Sequence, residues 1–414
     1  MHGGETPRPP FDGPVRHVYV HVPFCRARCD YCAFASVAVG GGGSATDVPR
    51  LFDAYVEGVA AEWERERAAH DVRRLRTLYL GGGTPSLLGP DRLERLLTVF
   101  RPHLTPQAEV TVEVNPEDAG TEFAAWAAGA RRSPGSGALR GVRISLGVQS
   151  FLPELRAALG RTAQADPRAA FDRLRAAGVA SIGLDLIHGI PGQTPELLAG
   201  DIATVLDLRP DHVSWYELDV AEGTALARRL AHAEGTAGGG RRAAPVAAPA
   251  DDVRAAGYRR LVRALSRAGY DWYEVSNFAR PGHKARHNLA CWRARPYLGL
   301  GPGAVSTVGA RRWTNSADPR AWAAALAAGR RPTRSVEELD DATRARERLL
   351  LAARCGEPVP LEAVSAVVDP DALAASAGAG LVSVRGGTLR VTRKGRHVAD
   401  GLCVRLFRAP RLRG

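Results

Sequence analysis

An apolar run from His17 to Val22 leads through Pro23 and Phe24 into three cysteines, Cys25, Cys29 and Cys32, at CxxxCxxC spacing. No other feature limits the architecture as much: three thiolates so close in sequence can converge on one inorganic group only if the strand behind them is held in a sheet. Cysteine thiolates are the ligands of iron–sulfur clusters, and a cubane takes four, so three leave one iron open to an outside ligand. The other readings are a disulfide pair with a spare thiol, or half of a zinc site. Zinc sites present paired CxxC or Cys/His hairpins, and no second hairpin follows, since Cys291, Cys355 and Cys403 stand alone and far away. Cys25, Cys29 and Cys32 are therefore expected to hold a [4Fe-4S] cluster.

The rest of the chain supplies the sheet. Thr77–Leu80, Glu109–Val114, Val142–Gly147, Ile182–Ile187 and His212–Leu218 are short apolar or alternating runs, each tied to a helical pattern. With the first strand they make six strand–helix units, which imply a parallel sheet covered by helices. Six such units suit a partial, open barrel, and functional groups in these sheets gather at the C-terminal ends of the strands. The cysteines, the run Gly81-Gly82-Gly83-Thr84-Pro85 and the acids Glu113 and Asp185 all fall there.

Residues 1–14 lack periodicity and read as a mobile lead-in, with the barrel over 15–232. Ser133–Gly137 reads as a turn-rich insertion, and 233–250, which is Gly, Ala, Pro and Arg without pattern, as a flexible loop. A segment over 251–334 completes the barrel. Beyond 335 the style changes: short helices expected around Thr343–Ala352, Leu361–Val367 and Pro370–Ser376 precede a hairpin, Leu381–Val384 and Leu389–Thr392, and one more helix from Gly395. That arrangement is winged-helix-like, so the expected class is α/β, a partial (β/α)6 barrel with a small C-terminal α+β domain.

In 414 residues, a hydrophobic fraction of 45% and a charged fraction of 24% are those of an ordinary globular protein, and no apolar run is long enough for a span or a signal peptide. A thiolate triad wants a reducing compartment, so a cytoplasmic location is expected. The net charge of +12 could suggest nucleic acid. The basic residues, however, are mostly arginines interleaved with acids, as in Glu64-Arg65-Glu66-Arg67, where pairs three and four apart on a helix explain them. Only Arg405 to Arg413 is a run of one sign, and no nucleic-acid partner is expected.

A strand-borne CxxxCxxC with Tyr31 before the last cysteine resembles the radical S-adenosylmethionine (SAM) superfamily. The resemblance narrows with Tyr19, Gly81–Pro85, Glu113-Val114-Asn115-Pro116, Ser145–Phe151 with Gln149, Leu159-Gly160-Arg161, Asp185–Gln193 and Tyr216-Glu217-Leu218. Together these are similar to the oxygen-independent coproporphyrinogen oxidase family and its HemW-type heme-chaperone branch, over nearly the whole chain from residue 15. The resemblance implies reductive cleavage of SAM, with electrons from a flavodoxin- or ferredoxin-type donor. It also implies SAM contacts at Tyr19, Tyr31, Gly82, Gly83, Thr84, Glu113, Gln149, Arg161 and Asp185.

The branch rests on a few positions. Coproporphyrinogen oxidases of this type carry a fourth nearby cysteine where this chain has Phe34, which speaks against that activity. The heme chaperones carry HNxxYW and a GxGxGAH. Here His287-Asn288-Leu289-Ala290-Cys291-Trp292 has Cys291 for the tyrosine, Val305 stands where that histidine belongs, and Ala163 replaces the histidine after Leu-Gly-Arg. A third relative, the class C radical SAM methyltransferases, binds two SAM molecules. On Val305, Cys291 and Ala163 the expectation is a methyltransferase acting on an aromatic small-molecule or modified-peptide substrate, with Val305 beside a second SAM and Tyr216 and His287 as catalytic residues. The alternative is a heme chaperone, in which His287, His283 or Cys291 remains as a donor to heme iron.

Overall fold

The computed structural model of this chain describes residues 10–40, 47–130, 141–161, 164–235 and 247–408. Strand β1 (Val15–Val22) runs on into the short β2 (Phe24–Cys25), which pairs with β3 (Val37–Ala38). Then come β4 (Val72–Gly82), β5 (Leu104–Val114), β6 (Val142–Gln149), β7 (Ser181–His188) and β8 (His212–Glu217). With β1 these make the six expected parallel strands, in the order β1-β4-β5-β6-β7-β8. Two antiparallel strands, β9 (Asp271–Glu274) and β10 (Asn277–Ala279), extend the sheet beyond β8, and β11 (Leu298–Leu300) lies parallel to β1 at the other edge. The segment after residue 250 therefore extends both edges of an open sheet and does not close the barrel.

Side chains alternate across a strand, and this decides what faces the lumen. Val18, Val20, Leu78, Leu80, Val110, Val112, Ile144, Leu146 and Leu184 are fully buried in one apolar core with the covering helices Asp47–Ala69, Gly89–Phe100, Thr121–Gly129 and Pro167–Ala176. Each such residue at about 25 cal/mol per Å² of apolar surface contributes roughly 1.5–3 kcal/mol. The alternate positions, among them His17, Tyr19, His21, Tyr79, Glu113, Ser145 and Asp185, are polar and line the lumen. The N-terminal end is stoppered by the segment His283–His287: Arg143 donates to the His283 carbonyl at 2.8 Å, and Glu109 accepts from the backbone of Arg286 and His287, each at 2.9 Å.

A three-stranded antiparallel sheet, β12 (Val305–Val308), β13 (Arg311–Asn315) and β14 (Arg334–Glu338), leads to the C-terminal domain. That domain has its own core, built on Leu349, Val364, Val382, Leu389, Val391, Leu402 and Leu406, and the sheet β15 (Val359–Pro360), β17 (Thr388–Val391), β16 (Val382–Arg385). It docks through Glu274, which is fully buried and accepts from Arg354 at 2.8 Å, and through Trp272, with Arg396 4.0 Å from its ring centre.

Several expectations shift. Residues 10–14 are not the mobile lead-in expected of them, because Phe11 is buried and hydrogen-bonds through its backbone to Ala294 and Gly309, and residues 1–9 lie outside the described residues. The helix expected over Leu361–Val367 is a single 3-10 turn at Leu361–Ala363, where the β-branched Val364, Val367 and Val368 serve as core residues. The loop expected at 233–250 is bracketed by helices Ala225–Gly235 and Asp251–Arg267. Residues 236–246, the insertion at Ser133–Gly137, Ala163 and the end of the basic tail lie outside the described residues. Among those described, no helix is long and apolar enough to cross a membrane.

Candidate functional site

The cysteine loop is built from its anchors. Phe24 is fully buried, 4.8 Å from Phe52 and 5.3 Å from Tyr55 between ring centres, so the chain is fixed immediately before Cys25. The return leg is closed by Val37 N–H donating to Pro23 O and Val39 N–H to Cys25 O. His21, two residues along β1 from Tyr19 and so on the same face, donates from Nε2 to the Ala35 carbonyl at 2.8 Å and accepts from the Tyr19 hydroxyl at Nδ1, 3.0 Å away. Burial lowers its pKa, in keeping with that neutral tautomer. At the far side, Asp30 is held by backbone bonds to Leu159 and Leu226, and Tyr31 packs against a small apolar cluster that includes Leu159, Ile187 and Leu218.

The three cysteines are free thiols lining one cavity of about 440 Å³ at the C-terminal ends of the strands. Burial raises the Cys25 thiol and pushes Cys29 up to about 11. Cys25 and Cys29 thus keep their protons until a metal displaces them. Among the described residues, no group of three or more His, Cys, Asp or Glu is set tightly enough for a single metal ion.

Behind them lies a polar basin. Glu113 accepts from the Tyr79 hydroxyl at 2.7 Å and the Gly82 N–H at 3.0 Å. Burial first, and then the Asp185 charge, raise its pKa to about 7 against those two hydrogen bonds. Asp185 Oδ2 accepts from Ser145 at 2.8 Å, while Oδ1 has no partner among the described residues, an acceptor left over in an enclosed site. Arg161 donates to the Gly147 carbonyl at 2.9 Å and to Asn115, whose amide donates to Thr84 at 3.1 Å. Gln149 sits at φ +62°, a left-handed conformation that costs a non-glycine residue energy and is concentrated at functional sites.

The glycines have a sharper reason than ligand approach. Gly82 has φ +109°. A Cβ on Gly83 would lie 2.6 Å from the Phe24 carbonyl oxygen and 2.8 Å from that of Val22, and one on Gly81 would lie 2.8 Å from Glu113 Oε1. The run is thin chiefly so that the chain's own backbone and Glu113 can approach.

The cavity gathers Cys25, Cys29, Cys32, Tyr31, Gly82, Gly83, Thr84, Glu113, Gln149, Arg161, Asp185 and Tyr216. Three expected residues are not in it. Tyr19 lies in the lumen beneath, engaged with His21 and 6.0 Å from the Tyr79 ring. His287, expected beside Tyr216, lies at the other end of the barrel: it is buried in the stopper, its Nδ1 2.9 Å from Thr77 Oγ1, and burial pulls its pKa down to about 3. Val305 begins β12 at the sheet's outer edge and pairs with Thr314, because the glycine-rich turn before it carries the chain away from the lumen. Trp292 likewise faces the C-terminal domain, under Arg354. The residues the sequence reading missed are Tyr79, Asn115 and Ser145 on the cavity wall and His21, which braces the cysteine loop from the lumen. Their signal was the two-residue period, since each falls at an even spacing from a residue already assigned.

A SAM molecule fits this chemistry. The basin offers two carboxylates for an amine or ribose hydroxyls and an arginine for a carboxylate, next to thiols that leave a cluster iron open.

The Radical SAM superfamily model matches residues 19–203. The chain is 38% identical over 396 residues to the heme chaperone HemW of Mycobacterium tuberculosis, with 95% of each covered. It is 35% identical to that of Escherichia coli over 299 residues, 71% of each. Among solved structures, coproporphyrinogen III oxidase (HemN) from Escherichia coli superposes with a TM-score of 0.74 at 22% identity, over 95% of this chain and 89% of that one, which carries the fold. The chain belongs to the HemN/HemW family of radical SAM proteins.

Proposed function

We propose that this protein is a heme chaperone: it binds heme and passes it to acceptor proteins in the reducing cytoplasm, on a barrel that also holds a [4Fe-4S] cluster and SAM. One observation carries the reading, the 38% identity to a HemW heme chaperone sustained over 95% of both chains, the C-terminal domain included. The methyltransferase reading leaned on Val305, which does not line the cavity.

When bound, a reduced cluster supplies the electron that cleaves the SAM sulfonium, drawn from a flavodoxin- or ferredoxin-type donor. The chain's own residues do the rest. Cys25, Cys29 and Cys32 hold the cluster, Glu113 and Asp185 accept hydrogen bonds from the SAM amine and ribose, and Arg161 pairs with its carboxylate. Tyr79 and the Gly82 N–H keep the Glu113 carboxylate aimed.

Hemin titration of the anaerobically reconstituted protein tests this. About one heme per chain with a shifted Soret band, and delivery of that heme to an apo-cytochrome, is the expected result. No heme binding, together with S-adenosylhomocysteine formed from SAM as an aromatic acceptor is methylated, would restore the methyltransferase reading.

A further inference from the structure

Where the C-terminal domain meets the barrel, a second cavity of about 220 Å³ lies between the ends of β7 and β8 and the first turn of the helix Ala399–Leu406. Side chains alternate along a strand, so His188 and Trp215 point away from the lumen that Asp185 and Tyr216 line. Both are buried, at 2% and 0% exposure, and neither His188 Nδ1 nor Trp215 Nε1 has a partner among the described residues. From the facing domain come Arg396 Nε and His397 Nδ1, also without partners. Tyr258, on the same wall, joins the two halves, its ring centre 5.7 Å from that of His188 and 5.4 Å from that of His397. Buried polar groups are normally satisfied, and here four unsatisfied ones border one cavity.

Their chemistry says what is missing. Indole and guanidinium N–H groups only donate, and a neutral imidazole donates from one nitrogen, so the missing partner is an acceptor. Arg396 Nη2 donates to the Trp272 carbonyl at 2.9 Å, yet the guanidinium forms no ion pair among the described residues. The acids at this seam are engaged elsewhere: Asp400 and Glu274 with Arg354, at 3.2 and 2.8 Å, and Glu217 with Arg254 at 3.4 Å. The balance is positive. Burial, and then the charges of Arg259, Arg393 and Arg396, lower the pKa of His397, and burial with Arg254 takes that of His188 down to about 4. The helix Ala399–Leu406 adds its N-terminus, where Val398 supplies no side-chain cap, so its first-turn N–H groups remain donors.

We infer that this seam is a binding site for a phosphate-type oxyanion, held by Trp215 Nε1, Arg396 Nε and the first turn of Ala399–Leu406, with His188 and His397 as neutral donors. The donors converge from two domains. A tetrahedral anion presents oxygens to both, whereas a carboxylate presents its two in one plane. The ligand thereby ties the C-terminal domain to the barrel, and the assignment is independent of the heme-chaperone reading.

Calorimetric titration of the full chain with inorganic phosphate, at ionic strength held constant with chloride, tests the site. About one phosphate per chain is expected, and phosphate should slow tryptic release of the C-terminal domain. Trp215→Phe, which deletes one N–H and keeps a ring, should weaken phosphate roughly tenfold, as the loss of a hydrogen bond to a charged group implies. Val398 is 52% exposed, so Val398→Asp carries no folding risk from the core. Its carboxylate should cap the helix, raise Tm without ligand and abolish phosphate binding. No phosphate binding by the wild type, or wild-type affinity in both variants, would overturn the site. Acetate binding as tightly as phosphate would overturn the tetrahedral ligand. Phenyl phosphate separates the sources: binding tighter than inorganic phosphate, and abolished by Val398→Asp, assigns the site to a phosphomonoester, and weaker binding assigns it to free phosphate.

Discussion

Replacing Glu113 with glutamine should make the protein more stable and less able to bind SAM. The folded protein raises this carboxyl from an ordinary 4.5 to about 7, chiefly through burial. Because the folded-state pKa lies above the unfolded one, the folded chain holds this proton more tightly. Stability is therefore lost as pH rises from 4.5 through 7, and the full penalty is present above 7. At 1.36 kcal/mol per pKa unit that penalty is on the order of 3 kcal/mol. Glutamine copies the protonated form and escapes it. One amide group must replace an acceptor facing the Tyr79 hydroxyl or the Gly82 N–H, at a cost of about 1 kcal/mol. The net gain at pH 8 is about 2 kcal/mol, a rise in Tm of roughly 2 °C for a chain of 414 residues, and it shrinks to almost nothing at pH 5. Calorimetry of cluster-free wild-type and Glu113→Gln proteins at both pH values measures it. On reconstituted protein the same substitution removes a charged acceptor, worth roughly 1.5–3 kcal/mol, so SAM affinity should fall by 10-fold or more. A Tm at pH 8 at or below wild type, with SAM affinity unchanged, would refute both the penalty and the placement of Glu113.

Other outcomes follow from the same geometry. Anaerobic reconstitution should load about four irons per chain, and the triple Cys25, Cys29, Cys32→Ala variant should lose them; unchanged iron would end the cluster assignment. Gly83→Ala, whose Cβ meets two backbone oxygens within 2.8 Å, should push the cysteine loop aside and lower both iron retention and SAM affinity, as iron assay and equilibrium dialysis would record. Glu274→Gln leaves Arg354 with only its exposed partner Asp400 and should cost roughly 1.5–3 kcal/mol at the domain contact. This would be seen as faster tryptic release of the C-terminal domain, and digestion at the wild-type rate would count against that contact holding the domain.

How much was legible in the sequence depended on how local the cause was. The CxxxCxxC spacing, the six strand–helix alternations and the glycine run act within a few residues, and each is found where that pattern put it. The acids at strand ends were readable because strand polarity alone puts them on one rim. His287 was misplaced because its motif says nothing of which end of the barrel its helix meets. That is decided by Glu109 and Arg143 at the strands' starts, over 130 residues away in sequence. Val305 was misplaced because the turn at Gly299–Gly303 sends the chain outward into an antiparallel sheet, a choice set by packing across the barrel's edge. Nor could the sequence tell that Phe34 and Tyr216 line one cavity, since only the curl of six paired strands brings their two edges together. By itself the chain determined its elements and brought three cysteines together as proposed cluster ligands, through local spacing and side-chain period; the tertiary structure decided which long-range neighbours each lumen side chain would meet, because those contacts depend on strand order and closure.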